Sequence, residues 1–314
     1  MPSKRSFIRR VATLTVGGLV ASGTATANSR SRSNYDASVV ADAETTVTAT
    51  VDRSVLDVVG VPEPARSILA DIRTRSATVT LEDIDAASGS VAVDGEDVVG
   101  GCLTLTGSFD PQAVSGELRD HELAFREVDD NAGYGDTGRR FLATDDAYAV
   151  EPGRETIRIG YGRDGEDALA HVEASGGSRR QSGAAGYGSL PSVLSGDAVA
   201  YADLGPATRR ASLAELEDAP ASLRQVLEVA SAVGVAVTAG EGGTALRYGI
   251  HANPSRLSRE TLETLLSEAT TGEHSLERGR VSRNGWTAVV DAAVGTGALW
   301  PVHERLVGCV PTDR

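Results

Sequence analysis

The chain predicts an α+β fold: antiparallel sheets with helices packed on one face, in two related halves built of ferredoxin-like elements. Three observations carry this. Alternating, β-branched segments recur at short spacing with turn residues between them. Helical stretches with recognisable start signals fall singly or in pairs among those strands. Residues 111–117 (PQAVSGE) and 254–260 (PSRLSRE), 143 positions apart, both fit Pro-x-x-Val/Leu-Ser-x-Glu, each after an Asx residue and a strand.

The elements follow in order. Residues 45–51 (TTVTATV) alternate as a strand, and 54–74 hold helical spacing broken by Pro62 and Pro64. Strands are expected near 76–82, 90–93 and 101–108. Asp110 then offers a cap and Pro111 a first helical residue, so a helix runs to about 120. Strands at 122–128, 139–144, 147–150 and 155–161 surround a loop at 129–138. A helix at 164–174 presents Ala168, Leu169 and Val172 on one face, and residues 175–192, rich in Gly and Ser, read as a long mobile loop. Residues 196–203 open a second block, with helix over 209–230, strands at 231–239 and 243–252, and a helix from Asn253-Pro254 to about 270. A hairpin of strands 275–282 and 286–294, joined at Asn284-Gly285, completes it. The organisation expected is a signal peptide at 1–27, a flexible leader at 28–44, α+β halves at 45–195 and 196–295, and an irregular tail at 296–314.

Composition narrows the function classes. The chain has 314 residues, with 44 acidic against 30 basic residues, a net charge of −14 and 40% hydrophobic residues. That is enough apolar surface for a core, and the acidity argues against nucleic-acid binding. Lys4 is the only lysine. Carboxylate excess with lysine loss is the composition of a protein that works in strong salt. A GC-rich genome would explain the missing lysine but not the acid excess. Molar salt shrinks the Debye length to about 3 Å, so the charge serves solubility more than recognition.

The first 27 residues read as an export signal. Lys4, Arg5, Arg9 and Arg10 form a basic region, a weakly apolar stretch runs from Val11 to Val20, and Ala25-Thr26-Ala27 precedes Asn28 as a cleavage site between Ala27 and Asn28. The run Ser3-Lys4-Arg5-Ser6-Phe7-Ile8 is similar to the twin-arginine motif, with Lys4 in place of the first arginine. Removal of residues 1–27 would shift the net charge from −14 to −18. No later apolar run approaches the ~20 residues of a membrane span.

The signal, LEDIDAASGSV at 81–91, the strand–Asp-Pro–helix at 101–118, GDAVAYADLGP at 196–206 and RVSRNGWTAVV at 280–290 together resemble a group of exported haloarchaeal proteins built from repeated α/β halves. That group carries no assigned activity. The resemblance therefore implies export and fold, and transfers no site residue.

The chemistry-bearing residues are sparse. Gly160-Tyr161-Gly162-Arg163-Asp164-Gly165 fits a dinucleotide fingerprint between strand and helix, but Asp164, Glu166 and Asp167 crowd the helix start where pyrophosphate would sit. It reads as a glycine-rich turn. His121, His171, His251, His274 and His303 are scattered, and no nucleophile-elbow motif accompanies them. Asp129, Asp130, Asn131 and Asp136 lack EF-hand spacing. Cys102 and Cys309 form a candidate disulfide, permitted by export. No cofactor, metal or catalytic set is expected. The expectation is a non-catalytic exported binding or envelope-associated protein, whose partner is another envelope protein or a polymer. Its rival is an extracellular hydrolase with a dispersed site in which His251 and Glu260 are first suspects.

Overall fold

The computed structural model describes residues 35–53, 78–120, 125–129, 139–143, 147–177, 186–216, 219–240, 243–271, 275–295, 298–299 and 301–303. The export signal with its Ala27–Asn28 cleavage site, the expected helices at 54–74, His121, His274, Cys309 and the acidic loop beyond Asp129 lie outside these residues.

The class is α+β, and among the described residues all strand pairing is antiparallel. The strands are β1 (Thr45–Asp52), β2 (Ile84–Asp94), β3 (Asp97–Gly107), β4 (Phe125–Asp129), β5 (Arg139–Ala143), β6 (Tyr148–Pro152), β7 (Thr156–Tyr161), β8 (Ala198–Asp203), β9 (Ala230–Gly240), β10 (Gly243–Ala252), β11 (Arg278–Asn284) and β12 (Thr287–Val294). They form one sheet in the order β11-β12-β10-β9-β8-β1-β2-β3-β7-β6-β5-β4. The expected halves meet where β1 pairs with β2 on one side and β8 on the other. Hydrogen bonding thus runs through their boundary, and the separate sheets expected are one.

The helices are α1 (Ala37–Ala41), α2 (Pro111–Asp120), α3 (Gly165–Gly176), α4 (Leu190–Val193), α5 (Pro206–Glu215), α6 (Ala221–Val229) and α7 (Arg259–Ala269). They cover both faces, not the single face expected. Alternation along β9 shows why. Ala232 and Ala236 pack with Leu190 and Leu194 around α4, whereas Val235 and Val237 face Leu246, Leu299 and Val302 on the other side. The small residues of the first set leave room for α4, and the valines of the second fill a conventional core. On that second face Ile250, Val281 and Val290 pack with Leu257 and Leu262 around α7, and Val114 of α2 joins Phe141, Val150 and Ile157. The first face holds α1, α3 and α4.

The turn at 160–165 does what its glycines allow. A Cβ on Gly160 would lie 2.2 Å from the Ala168 carbonyl oxygen, so the glycine permits α3 to lie directly on β7. Asp164 caps α3 by accepting from the Glu166 and Asp167 amides at 2.9 Å each. The amide donors that would face a phosphate are occupied by the chain's own carboxylate.

Several boundaries move. Residues 35–44, expected in the flexible leader, include α1 and bury Tyr35, Asp36, Ala37 and Ala41. Residues 187–192, expected in a mobile loop, include the start of α4 and bury Leu190. Residues 299 and 301–303 of the expected irregular tail are helical and bury Leu299, Val302 and His303. Residues 81–83, expected to end a strand, form a 3-10 turn. The two matched heptapeptides also differ in place. Pro111 opens α2, and Ser115 inside that helix bonds back to the Pro111 carbonyl at 2.6 Å. Pro254 lies in a turn before α7, which starts at Arg259 with Ser258 as its cap, the Thr261 amide donating to Ser258 Oγ at 3.0 Å.

Candidate functional site

The first face carries a row of polar residues across the centre of the sheet. Register aligns Thr287, His251, Ala232, Asp203, Thr46 and Ala92 on strands β12, β10, β9, β8, β1 and β2. Its inner part is closed over by α1 and the residues before α4. Asp36 Oδ1 accepts from the Ser38 amide at 3.1 Å, the Ser38 hydroxyl at 2.7 Å and the Thr46 hydroxyl at 2.5 Å. Tyr187 Oη lies 2.9 Å from Thr48 Oγ1, and Asp203 accepts from the Gly186 amide at 2.6 Å. Burial pushes the Asp203 carboxyl up, against the lowering effect of that amide.

Tyr35 and His171 form a buried pair in which the Tyr35 hydroxyl meets His171 Nδ1. Burial holds His171 down at about 4 and drives the Tyr35 phenol well above its ordinary value. Both groups stay neutral near pH 7. A neutral, enclosed phenol is a poor nucleophile, and this pair braces α1 against α3.

The same row opens to solvent at its β12 end. His251 Nδ1 lies 3.1 Å from Thr287 Oγ1, and Thr287 Oγ1 lies 2.5 Å from Ser189 Oγ. The His251 ring stacks on Trp286 with centroids 5.9 Å apart and planes at 29°. Trp286 is 53% exposed, one of three large hydrophobic side chains that are open among the described residues. On the other side Gly188 touches His251: a Cβ there would fall 2.5 Å from its ring atoms. Gly188 has φ +58°, a conformation that also favours glycine. His251 is therefore held in one orientation, and Trp286 stands on it with ring surface free.

The turn that presents Trp286 differs from expectation by one residue. Asn284 pairs with Thr287, so the two-residue loop is Gly285-Trp286, with Gly285 at φ +58° in its first position. Trp286 was expected to begin a strand and instead forms the loop tip.

The suspected His251–Glu260 partnership fails on topology. Ile250, next to His251, packs with Leu257 and Leu262 on the α7 face. Successive strand residues point to opposite faces, so His251 and the exposed Glu260 of α7 are separated by the sheet. His303, in the tail, is buried on the α7 face, with Nε2 2.6 Å from Tyr248 Oη and Nδ1 2.6 Å from the Leu299 carbonyl. Cys102, placed in the candidate disulfide with Cys309, is a buried free thiol 3.1 Å from Ser175 Oγ, and burial pushes its ionisation up. Among the described residues no group of three or more His, Cys, Asp or Glu side chains is arranged to hold a metal ion. No described helix is long and apolar enough to cross a membrane.

A second concavity, an open groove of about 460 Å³, lies on the α7 side of β11 between Arg259, Glu263, Leu266 and residues 279–282. Two of its ionic residues, Arg259 and Glu263, bond each other at 2.7 Å, and Arg280 also borders it. It contains no histidine, so we place the candidate site at the His251–Trp286 corner, where an open ring and fixed hydroxyls converge.

Sequence reasoning singled out His251 but not Trp286, Thr287, Ser189 or Gly188. Trp286 carried a usable signal: a tryptophan beside Asn-Gly, in a chain with 4% aromatics and two tryptophans. Ser189 and Gly188 carried none, because only the sheet brings them to β10.

Neither a protein-family model nor a curated protein matches the sequence. Solved structures of TP0453 are similar in outline. Crystal form I has a TM-score of 0.48 at 11% identity, covering 87% of this chain and 98% of that one. Crystal form III has a TM-score of 0.47 at 11% identity, and crystal form IV 0.48 at 13%, each covering 85% of this chain. At this level the likeness says nothing of ligand, activity or partner.

Proposed function

We propose that the chain is an exported, salt-adapted, non-catalytic binding protein that associates with a component of the haloarchaeal envelope. The signal-like residues 1–27 and the acidic composition support export and salt adaptation. The observation that carries binding is Trp286, presented at a loop tip and stacked on an immobilised His251. A rigid aromatic face offers a large contact area at little cost in entropy. Ser189 and Thr287 beside it supply fixed hydroxyls for orientation.

The rival, an extracellular hydrolase, is favoured by one feature. The hydroxyls of Ser189 and Thr287 and the His251 ring form a continuous chain. In it, however, His251 faces Thr287 rather than Ser189, and among the described residues no carboxylate bonds the ring as a triad requires.

Crosslinking in native salt, followed by cell fractionation, tests the reading. The wild-type chain should capture an envelope component, and Trp286→Ala should lose it while remaining exported. Turnover of a glycoside, ester or peptide that disappears in His251→Ala would overturn binding in favour of hydrolysis.

A further inference from the structure

We propose that the His251–Trp286 corner is one end of an extended site for an acidic polysaccharide, which lies along the outer edge of β11. The proposal rests on the binding reading above and adds the chemistry of the ligand.

Residues 278–284 read RGRVSRN: three arginines and no acid, in a chain of net charge −14. β11 is an edge of the sheet, paired only with β12 among the described strands. Its alternation is fixed by Val281, which is buried with Val290 on the α7 face. Arg278, Arg280, Ser282 and Asn284 therefore share the opposite face with Thr287 and His251. At about 6.8 Å per two residues, the row from Asn284 to Arg278 extends roughly 20 Å from the Trp286 tip. That is a length of several sugar rings.

This face carries more guanidinium than carboxylate groups: Arg247, Arg278 and Arg280 against Asp291. Asp291 of β12, opposite Arg280 in register, is bound on its other side to Arg247 of β10 at 2.6 Å. Arg278 and Arg280 are exposed, and neither makes an ion pair among the described residues. Edge strands do carry charge to block aggregation, but that role needs only charge. In a chain with 44 acids, carboxylates would serve it. Arg278 and Arg280, which outnumber the one carboxylate beside them (Asp291, opposite Arg280 and already bound to Arg247) and stand in line with an open tryptophan, instead match a ligand that repeats both carboxylate or sulfate groups and flat apolar ring faces. Arginine engages such anions through paired N–H donors, and Trp286 stacks on a sugar face.

Strong salt divides the work. With a Debye length of about 3 Å at 1 M, distant arginines attract nothing, and only direct contact counts. Stacking is insensitive to salt. Trp286 should therefore anchor the polymer under all conditions, and the arginines should add more as salt falls.

The test titrates alginate oligosaccharides against the full chain carrying Trp300→Phe, so that fluorescence reports on Trp286 alone. Titrations run in low and in molar salt, with dextran and poly-L-glutamate as comparison probes. Alginate should quench the signal in both, and dextran should bind more weakly. A parallel pull-down on alginate beads should show Trp286→Ala unbound. Arg278→Gln with Arg280→Gln should weaken alginate about tenfold, equivalent to about 1.4 kcal/mol, and flatten the salt dependence. Trp286, Arg278 and Arg280 are exposed, so their variants should fold, and circular dichroism checks each of them and the Trp300→Phe chain. The proposal is overturned if the double arginine variant binds alginate like the wild type. It is also overturned if poly-L-glutamate binds as tightly without Trp286, which would indicate acidic peptide on the strand edge. Failure of every alginate titration, with envelope crosslinking still dependent on Trp286, sinks the polysaccharide assignment and leaves the binding function standing.

Discussion

Acid should destabilise this protein well before its carboxylates titrate, and His303 is the group that makes this measurable. Its Nδ1–H donates to the Leu299 carbonyl, which can only accept, so the ring's Nε2 accepts from the Tyr248 hydroxyl. This is a neutral imidazole with both nitrogens used. Burial holds it down at about 4, with the Leu299 carbonyl opposing slightly. In the unfolded chain a histidine titrates near 6.5. The unfolded state thus binds more protons between these values, so the contribution is complete above about pH 6.5 and is lost as pH falls toward 4. Linkage over that interval gives a loss of about 2 kcal/mol between pH 7 and pH 5, approaching about 3 kcal/mol at pH 4. The assay is denaturant unfolding at both pH values in constant molar salt, for wild type and His303→Phe. Phenylalanine strands the Tyr248 hydroxyl and lowers the baseline, but it cannot ionise, so the pH dependence is the readout. His303→Phe should lose about 2 kcal/mol less than wild type between pH 7 and pH 5. An identical loss in both proteins would refute the buried neutral histidine.

His171 has the same sign, and His171→Phe should flatten the same pH interval if the Tyr35 pairing is correct. Glu151 is buried between Arg140 at 2.9 Å and Arg158 at 2.5 Å, so Glu151→Ala should cost about 3–5 kcal/mol in unfolding experiments. Glu173, 52% exposed on the same network, should cost far less, and equal losses would count against a buried ion cluster. Gly188→Ala should shift the fluorescence of Trp286 by pushing His251 aside, and an unchanged spectrum would show that Gly188 does not set the ring. Unfolding in low and in molar salt tests the salt adaptation, which fails if the two stabilities match.

Much of the local structure was legible. β1, β5–β7, β8–β10 and α2, α3, α5 and α6 fall near their expected places, because period-2 alternation and Asx-Pro or Asp caps are local signals. The failures have physical causes. Pro254 mimics the helix start at Pro111, but residues 254–257 form a turn before Ser258 caps α7, which starts five residues later at Arg259. The strand assigned from 286 treated Asn284-Gly285 as the turn, and the one-residue difference moved Trp286 from a strand to a loop tip. The candidate site suffered most, since His251 was the one member visible and its suspected partner Glu260 lies across the sheet.

Composition and periodicity by themselves determined the α+β class, most of the strands, the helices α2, α3, α5 and α6 and the sparseness of reactive side chains, since each depends on residue type or on neighbours within a few positions. Tertiary structure alone decided that the halves share one sheet, that helices cover both faces, and that Tyr35–His171 is enclosed while His251–Trp286 is open. Those outcomes depend on which strands pair, and β1 with β8, or Ser189 with Thr287, meet across separations of about 100 residues or more. No local pattern encodes such contacts. They form because burying both faces of the sheet at once satisfies more apolar surface and more backbone hydrogen bonds than either half could alone.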